Sequence, residues 1–190
     1  MKLREDTNYI VSGLERSGTS MMMQVLEAGG VPVAYSESRT PDVHNPKGYY
    51  ELEGGKIINK LIQGTFPFES YRGTFIKITA YGLSYLPSGF YKIIYLERNL
   101  EEVLDSMETM AHITDENRKE TKQSFTRLNE KVKRELQSRD HTDVLFMNYN
   151  DMLKEPRANI MKICTFIGPY EYDVVKMTAV VDGRLYRQRR

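Results

Sequence analysis

The stretch that most constrains this chain is Gly-Leu-Glu-Arg-Ser-Gly-Thr-Ser, residues 13–20, directly after the apolar run Tyr9 to Val11 and Ser12. A β-like run, two glycines five apart and a helix-compatible continuation specify a strand, a tight turn and a helix. Such a turn presents backbone N–H groups to an anion at the helix N-terminus. Ser17, Gly18, Thr19 and Ser20 form the turn and the first helical residues, with hydroxyl donors at Thr19 and Ser20. Arg16 adds a planar fork matched to phosphate or sulfate oxygens. A kinase or ATPase loop of this spacing carries a lysine where this chain has Thr19; the lysine serves the β- and γ-phosphates, and the hydroxyl after it holds Mg²⁺. That lysine is absent, and the nearest strand end offers Glu97 in place of the aspartate that completes a magnesium site. The loop suits a shorter, metal-free anion.

The rest of the chain alternates short β-rich runs with longer segments of helical period. Strands are expected at 9–12, 74–79, 92–97 and 144–149, with a weaker fifth at 31–35. Their near-continuous apolarity predicts a parallel sheet covered on both faces. Helices are expected at about 18–28, 51–62, 100–112, 117–138, 156–167 and 172–180. Asn99 with Glu102 three residues later marks the start of the third. In the fourth, Phe125, Leu128, Val132 and Leu136 form one apolar stripe on a charged segment, so it packs on the outside of the sheet. The expected fold is α/β, a parallel sheet flanked by helices with right-handed crossovers, in one domain over residues 1–190. Residues 36–50 form the one long irregular stretch, and long loops in compact domains tend to be functional.

A net charge of +1 creates no field that demands a nucleic-acid or membrane partner. Four arginines in the last seven positions concentrate the basic charge at the C-terminus. Cys164 is the only cysteine, which excludes an intramolecular disulfide, and its apolar surroundings suit a small core residue. Three scattered histidines and one cysteine show no metal-ligand spacing, so no metal is expected. Met21 to Met23 read as core packing. The first ten residues lack the apolar core of a signal peptide, and no run approaches the ~18 apolar residues of a membrane span. A soluble, cytoplasmic protein is the expectation.

Arg-Ser-Gly-Thr-Ser after a strand and opening a helix resembles the 5′-phosphosulfate loop of sulfotransferases that use 3′-phosphoadenosine-5′-phosphosulfate (PAPS), whose fold is P-loop NTPase-like. Four further segments carry the resemblance in the family's order, over about residues 8–168. Residues 92–107, Lys-Ile-Ile-Tyr-Leu-Glu-Arg-Asn-Leu-Glu-Glu-Val-Leu-Asp-Ser-Met, resemble the 3′-phosphate motif, with Arg98 leaving the strand and Ser106 eight residues on. Residues 148–168 are similar to the family's segment after its last central strand, which implies that Tyr149 lies near the adenine or the 3′-phosphate. Residues 75–87 resemble the Ile-Lys-Thr-His-Leu-Pro region of cytosolic sulfotransferases. Lys77 falls on its lysine, while Thr79 stands where the catalytic histidine would be. Asn45 to Glu51, Asn-Pro-Lys-Gly-Tyr-Tyr-Glu, are similar to a bacterial sulfotransferase-like group.

The resemblance implies sulfuryl transfer from PAPS to an acceptor hydroxyl or amine, with Arg16 to Ser20 on the 5′-phosphosulfate and Arg98 and Ser106 on the 3′-phosphate. Arg184 or Arg187 would close over that phosphate, although the C-terminal segment matches the family's arginine–lysine–glycine pattern poorly. Lys77 would stabilise charge on the leaving oxygen. With Thr79 in the histidine position, three loop residues qualify as general base: Glu51 first, then His44 and Glu37. His112 and His141 read as structural. Two other functions stay open at this level: a Mg-ATP- or Mg-GTP-dependent phosphotransferase, and a catalytically idle nucleotide-binding module. The partners implied are a nucleotide cosubstrate and a hydroxyl-bearing acceptor whose class the sequence does not specify.

Overall fold

The computed structural model describes residues 2–36 and 48–181. Four strands form one parallel sheet: β1 (Thr7–Gly13), β2 (Phe75–Lys77), β3 (Phe90–Glu97) and β4 (Thr142–Asn148), in the order β2-β1-β3-β4. The helices are α1 (Thr19–Ala28), α2 (Ile57–Ile62), α3 (Leu100–Ala111), α4 (Arg118–Ser138), α5 (Tyr149–Lys154), α6 (Pro156–Ile167) and α7 (Val174–Val180). Short 3-10 turns occupy Leu52–Gly55, Phe68–Tyr71 and Ala80–Tyr85.

The strand residues alternate between two cores, which is why their sequences are apolar throughout. Tyr9, Val11, Phe75, Ile94 and Leu96 face a cluster with Met22, Val25 and Leu26 of α1, Ile160 and Ile163 of α6, and Met177 of α7. Ile10, Ile76, Ile93 and Tyr95 face the opposite cluster, with Leu61 of α2, Leu83, and Val132 and Leu136 of α4. The apolar stripe of α4 thus packs on the sheet, with Phe125 and Leu128 half-buried at its edge. Met22 and Met23 are fully buried core residues, and Cys164 is buried in the first cluster.

Several boundaries differ from expectation for local reasons. The expected helix 51–62 is broken, because Glu53 and Gly54 adopt left-handed φ values of 49° and 63°, leaving a 3-10 turn before a shorter α2. The fifth strand reduces to a single bridge, Val33 to Phe75. The expected strand 74–79 holds its ladder only over Phe75–Lys77. β4 stops one residue early because the Asn148 side chain accepts from the N–H groups of Asn150 and Asp151 and starts α5.

Chain order and sheet order together locate a ligand crevice. The chain runs from central β1 to β2 on one side, then crosses to β3 on the other. In open α/β sheets, ligands bind outside the C-terminal strand ends at such a reversal. The register Gly13 opposite Leu96, and Glu97 opposite Asn148, brings the loop after β1, Arg98 and Tyr149 out of one sheet edge side by side.

Candidate active site

The turn after β1 is shaped by two glycines that tolerate no side chain. A Cβ on Gly13 (φ 151°) would strike the Leu96 carbonyl and the Ser17 hydroxyl, and one on Gly18 (φ 100°) would strike the Tyr149 ring. Ser17 is buried and donates from Oγ to the Leu14 carbonyl at 2.7 Å, closing the turn from within. Gly18 stands at the N-cap of α1 with no side-chain capping bond, and the first turn carries no acidic residue. The amides that open α1 therefore present a partial positive charge that no side chain at the cap offsets.

Arg16 follows an unusual path. It sits at φ 64°, its carbonyl accepts from Arg98 Nη1 at 3.0 Å, and its Nε donates to Ser106 Oγ at 3.0 Å. The loop after β1 and the β3–α3 segment are thereby joined. The Arg98 side chain, 8% exposed, donates from Nε to Oε2 of the fully buried Glu102 at 2.9 Å. Its guanidinium also lies 4.7 Å over the Tyr149 ring. Asn150 Nδ2 donates to the other Glu102 oxygen at 3.3 Å. Burial pushes the Tyr149 phenol pKa up, with the Arg98 charge pulling the other way.

A second group lies at the end of β2. Lys77 Nζ donates to the Tyr49 carbonyl, to Ser20 Oγ at 3.3 Å and to Glu51 Oε1 at 3.3 Å, and Ser20 Oγ donates to the same carbonyl at 3.0 Å. Lys77 and Glu51 form a mostly buried ion pair, their side chains 7% and 19% exposed. An ammonium, a hydroxyl and a carboxylate thus meet beside the first turn of α1. Tyr50, next to Tyr49, donates to Glu27 of α1, and burial together with that carboxylate raises its pKa. Tyr35 donates to the other Glu27 oxygen at 3.2 Å.

Of the residues singled out from sequence, the structure brings Arg16, Ser17, Gly18, Thr19, Ser20, Arg98, Ser106, Tyr149, Lys77 and Glu51 to this one edge. Glu37, His44, Arg184 and Arg187 lie outside the described residues. His112 and His141 sit away from the site in left-handed positions, His112 closing α3 and His141 against Phe90. Glu97, the nearest stand-in for a magnesium carboxylate, accepts from Lys133 at 2.8 Å and Asn129 at 3.3 Å and so faces α4. Among the described residues, no group of three His, Cys, Asp or Glu is placed to hold a metal. None of their helices is long and apolar enough to cross a membrane. Sequence reasoning missed Glu102 as the partner of Arg98, because Arg98 precedes the Asn99 cap and lies outside the helix that carries Glu102. It also missed the Tyr49 carbonyl, a backbone acceptor that leaves no sign in the sequence.

Comparisons with known proteins give the family and the fold. The family model described as the sulfotransferase domain matches residues 6–179. No curated protein matches the chain. Among solved structures it is similar to a sulfotransferase from Mycobacterium tuberculosis, with TM-score 0.64 and 15% identity over 93% of this chain and 72% of that one. It is similar to the sulfotransferase domain of the Synechococcus olefin synthase, with TM-score 0.63 and 16% identity over 98% and 81% of the two chains. A mouse sulfotransferase complexed with PAP gives TM-score 0.53 and 18% identity over 96% of this chain and 65% of that one. At these identities the structural likeness establishes the fold.

Proposed function

This chain belongs to the sulfotransferase domain family, and from that premise we propose that it transfers a sulfuryl group from PAPS to an acceptor hydroxyl or amine by in-line displacement, as a cytoplasmic enzyme. The observation that carries the cofactor assignment is the meeting of two anion-binding groups at one sheet edge. One is the uncapped start of α1 with Thr19 and Ser20; the other is Arg98 and Ser106 with Arg16 between them. The residues present fit a nucleotide phosphorylated at two separate positions, and the PAP complex of the mouse neighbour supports the same class.

PAPS, when bound, supplies the sulfuryl group and a phosphate leaving group. The α1 amides hold the 5′ end, and Arg98 and Ser106 hold the 3′-phosphate, with Tyr149 backing the Arg98 guanidinium. Arg184 and Arg187, which the family resemblance would assign to that phosphate, lie outside the described residues. Lys77, held beside Ser20, stabilises negative charge on the leaving oxygen. Glu51 accepts the proton of the attacking hydroxyl, and Lys77 keeps its carboxylate in position. His44 and Glu37 are the alternative bases. Glu51→Gln is expected to lower kcat by about 10²–10⁴-fold with little change in nucleotide affinity; an unchanged kcat would transfer the role to one of the other two.

Thr79 in the catalytic-histidine position favours a second reading, a module that binds the nucleotide without turning it over. The Mg-ATP or Mg-GTP phosphotransferase alternative loses support from Glu97, which is engaged by Lys133 and Asn129. The deciding measurement is calorimetric titration with adenosine 3′,5′-bisphosphate and with ATP, each with and without Mg²⁺. It is followed by an assay for bisphosphate release from PAPS over a panel of hydroxyl acceptors. Metal-independent preference for the bisphosphate with release supports the enzyme. The same preference with no release supports the idle module, and preference for Mg-ATP sinks both.

A further inference from the structure

We propose that Tyr50, held by Glu27 and braced by Tyr35, is a positioning residue that sets the Lys77–Glu51 pair for sulfuryl transfer. The inference rests on the reading that this pair works on the reacting groups.

Tyr49, Tyr50 and Glu51 are each tied down separately. The Tyr49 carbonyl accepts from Lys77 Nζ and from Ser20 Oγ, and Glu51 Oε1 accepts from the same Nζ at 3.3 Å. An ammonium has three protons to give, and here two of its acceptors come from one short segment. Tyr50 stands between them at φ 55°, a left-handed value that is uncommon for so large a side chain. Such a bend persists only where surrounding contacts hold it. Tyr50 donates its hydroxyl to Glu27 Oε2, Tyr35 donates to Glu27 Oε1 at 3.2 Å, and the two ring centroids lie 4.5 Å apart. Ser36, next to Tyr35, donates from its backbone N and its Oγ to the Glu51 carbonyl at 2.9 and 3.1 Å. Ser20 and Glu27 are two turns apart on α1, so they share one face of it at a separation of about 10 Å. The segment therefore lies along α1, fixed at the first turn by the Tyr49 carbonyl and at the last by the Tyr50 hydroxyl. Tyr50 acts on the pair through the backbone on either side of it.

The anchor can be tested without turnover. Acetic anhydride labelling, read for each lysine by mass spectrometry, reports how freely the Lys77 amine leaves its acceptors. Lys133, paired with Glu97, is the internal reference. Tyr50→Phe removes one hydroxyl, and Glu27→Ala removes the carboxylate that accepts from both phenols. Each is expected to raise the Lys77-to-Lys133 labelling ratio about three- to tenfold. Glu27→Gln keeps an acceptor oxygen and is expected to stay within about twofold of wild type. The Kd for adenosine 3′,5′-bisphosphate is expected to change by no more than about twofold in all three, because the groups assigned to it are not carried by this segment. Bisphosphate release from PAPS over the acceptor panel is expected to fall about fivefold or more in Tyr50→Phe and Glu27→Ala, and to recover in Glu27→Gln. An unchanged ratio in Tyr50→Phe overturns the inference. Labelling that rises equally at Lys77 and Lys133, with an early melt, also overturns it, because Tyr50 would then serve general packing. A raised ratio with unaltered release overturns the role in transfer. Absence of release from wild type is a failure of the sulfotransferase reading instead, and the labelling ratio still decides the anchor.

Discussion

The starts of α1 and α3 leave the same edge of the sheet, one from central β1 and one from its neighbour β3, yet they are finished in opposite ways. α3 satisfies itself: the Asn99 side chain accepts from the Glu101 N–H at 2.9 Å, and Glu101 and Glu102 place negative charge in the first turn. α5, which follows β4, is capped in the same manner by Asn148. α1 has glycine at the cap, no capping side chain and no acid in its first turn. A glycine cap forgoes only a few tenths of a kcal/mol against Ser, Thr, Asn or Asp, and a first turn without acids forgoes about 0.3–1 kcal/mol more. On the function proposed above, the difference leaves the positive end of α1 to the ligand. On the α3 side, the buried carboxylate of Glu102 neutralises Arg98.

The largest effect is expected from breaking the self-satisfied side. Arg98→Ala leaves Glu102 buried without its guanidinium, and removal of one partner of a buried ion pair costs about 3–5 kcal/mol. Denaturant melts check this. The comparison sharpens with Arg98→Met combined with Glu102→Leu, which is expected to recover most of the stability while nucleotide binding stays lost. If the double variant still binds the bisphosphate as wild type does, Arg98 is structural only.

Next in size is the bare side. Gly18→Ala places a Cβ into the Tyr149 ring at φ 100°. Backbone strain and overpacking together are expected to cost about 3 kcal/mol, which for a chain of this length lowers Tm by roughly 6–12 °C. Nucleotide affinity is expected to fall further than stability alone dictates, because the loop that presents the α1 amides must shift. A variant with lowered Tm and unchanged nucleotide Kd would show that the loop geometry is not tuned to a ligand.

The contrast also accounts for what the sequence made legible. Strands covered on both faces are near-continuous apolar runs, so all four were readable, as was the α4 stripe. Asn99 was readable as a cap. Asn148 carries the same signature ahead of Asp151, but the β-branched and aromatic residues before it extended the apparent strand over Tyr149. The break in 51–62 follows from Gly54 and Gly55, whose backbone freedom outweighed the helical spacing of Leu52, Ile57 and Leu61. At the site, Arg16, Arg98, Ser106 and Lys77 were visible as residue types at fixed spacings. Their mutual contacts were not, because they depend on strand register: Arg16 reaches Ser106 only because Gly13 lies opposite Leu96. The anchoring of Lys77 on the Tyr49 carbonyl uses a backbone atom that every residue possesses, and no pattern of side chains reports it.

A smaller effect tests whether the α3 cap is as local as it looks. Asn99→Ala is expected to cost about 1 kcal/mol through loss of the Glu101 N–H bond. It should shift nucleotide affinity far less than Arg98→Ala, one residue away. A loss of affinity as large as that of Arg98→Ala would mean the cap orients the arginine, and the two helix starts would then be one device.

The smallest effect concerns the acids that finish α3. Lys122 and Arg118 of α4 donate to the Glu101 carboxylate, Lys122 at 2.6 Å and Arg118 Nη2 at 2.8 Å. Lys122 above all, then Arg118, holds its pKa down at about 2. A carboxylate whose folded pKa is depressed contributes stability that is complete above its unfolded value and is lost as pH falls through the folded one. The α3–α4 contact is therefore expected to persist at pH 4 and weaken only as pH approaches 2. Carbon-detected NMR of the Glu101 carboxyl gives the midpoint directly, and Lys122→Ala should move it upward toward the ordinary glutamate range. A wild-type midpoint in that ordinary range would mean the bridge is not formed in solution. The negative charge beside Asn99 would then serve the α3 dipole alone, as it would in any capped helix.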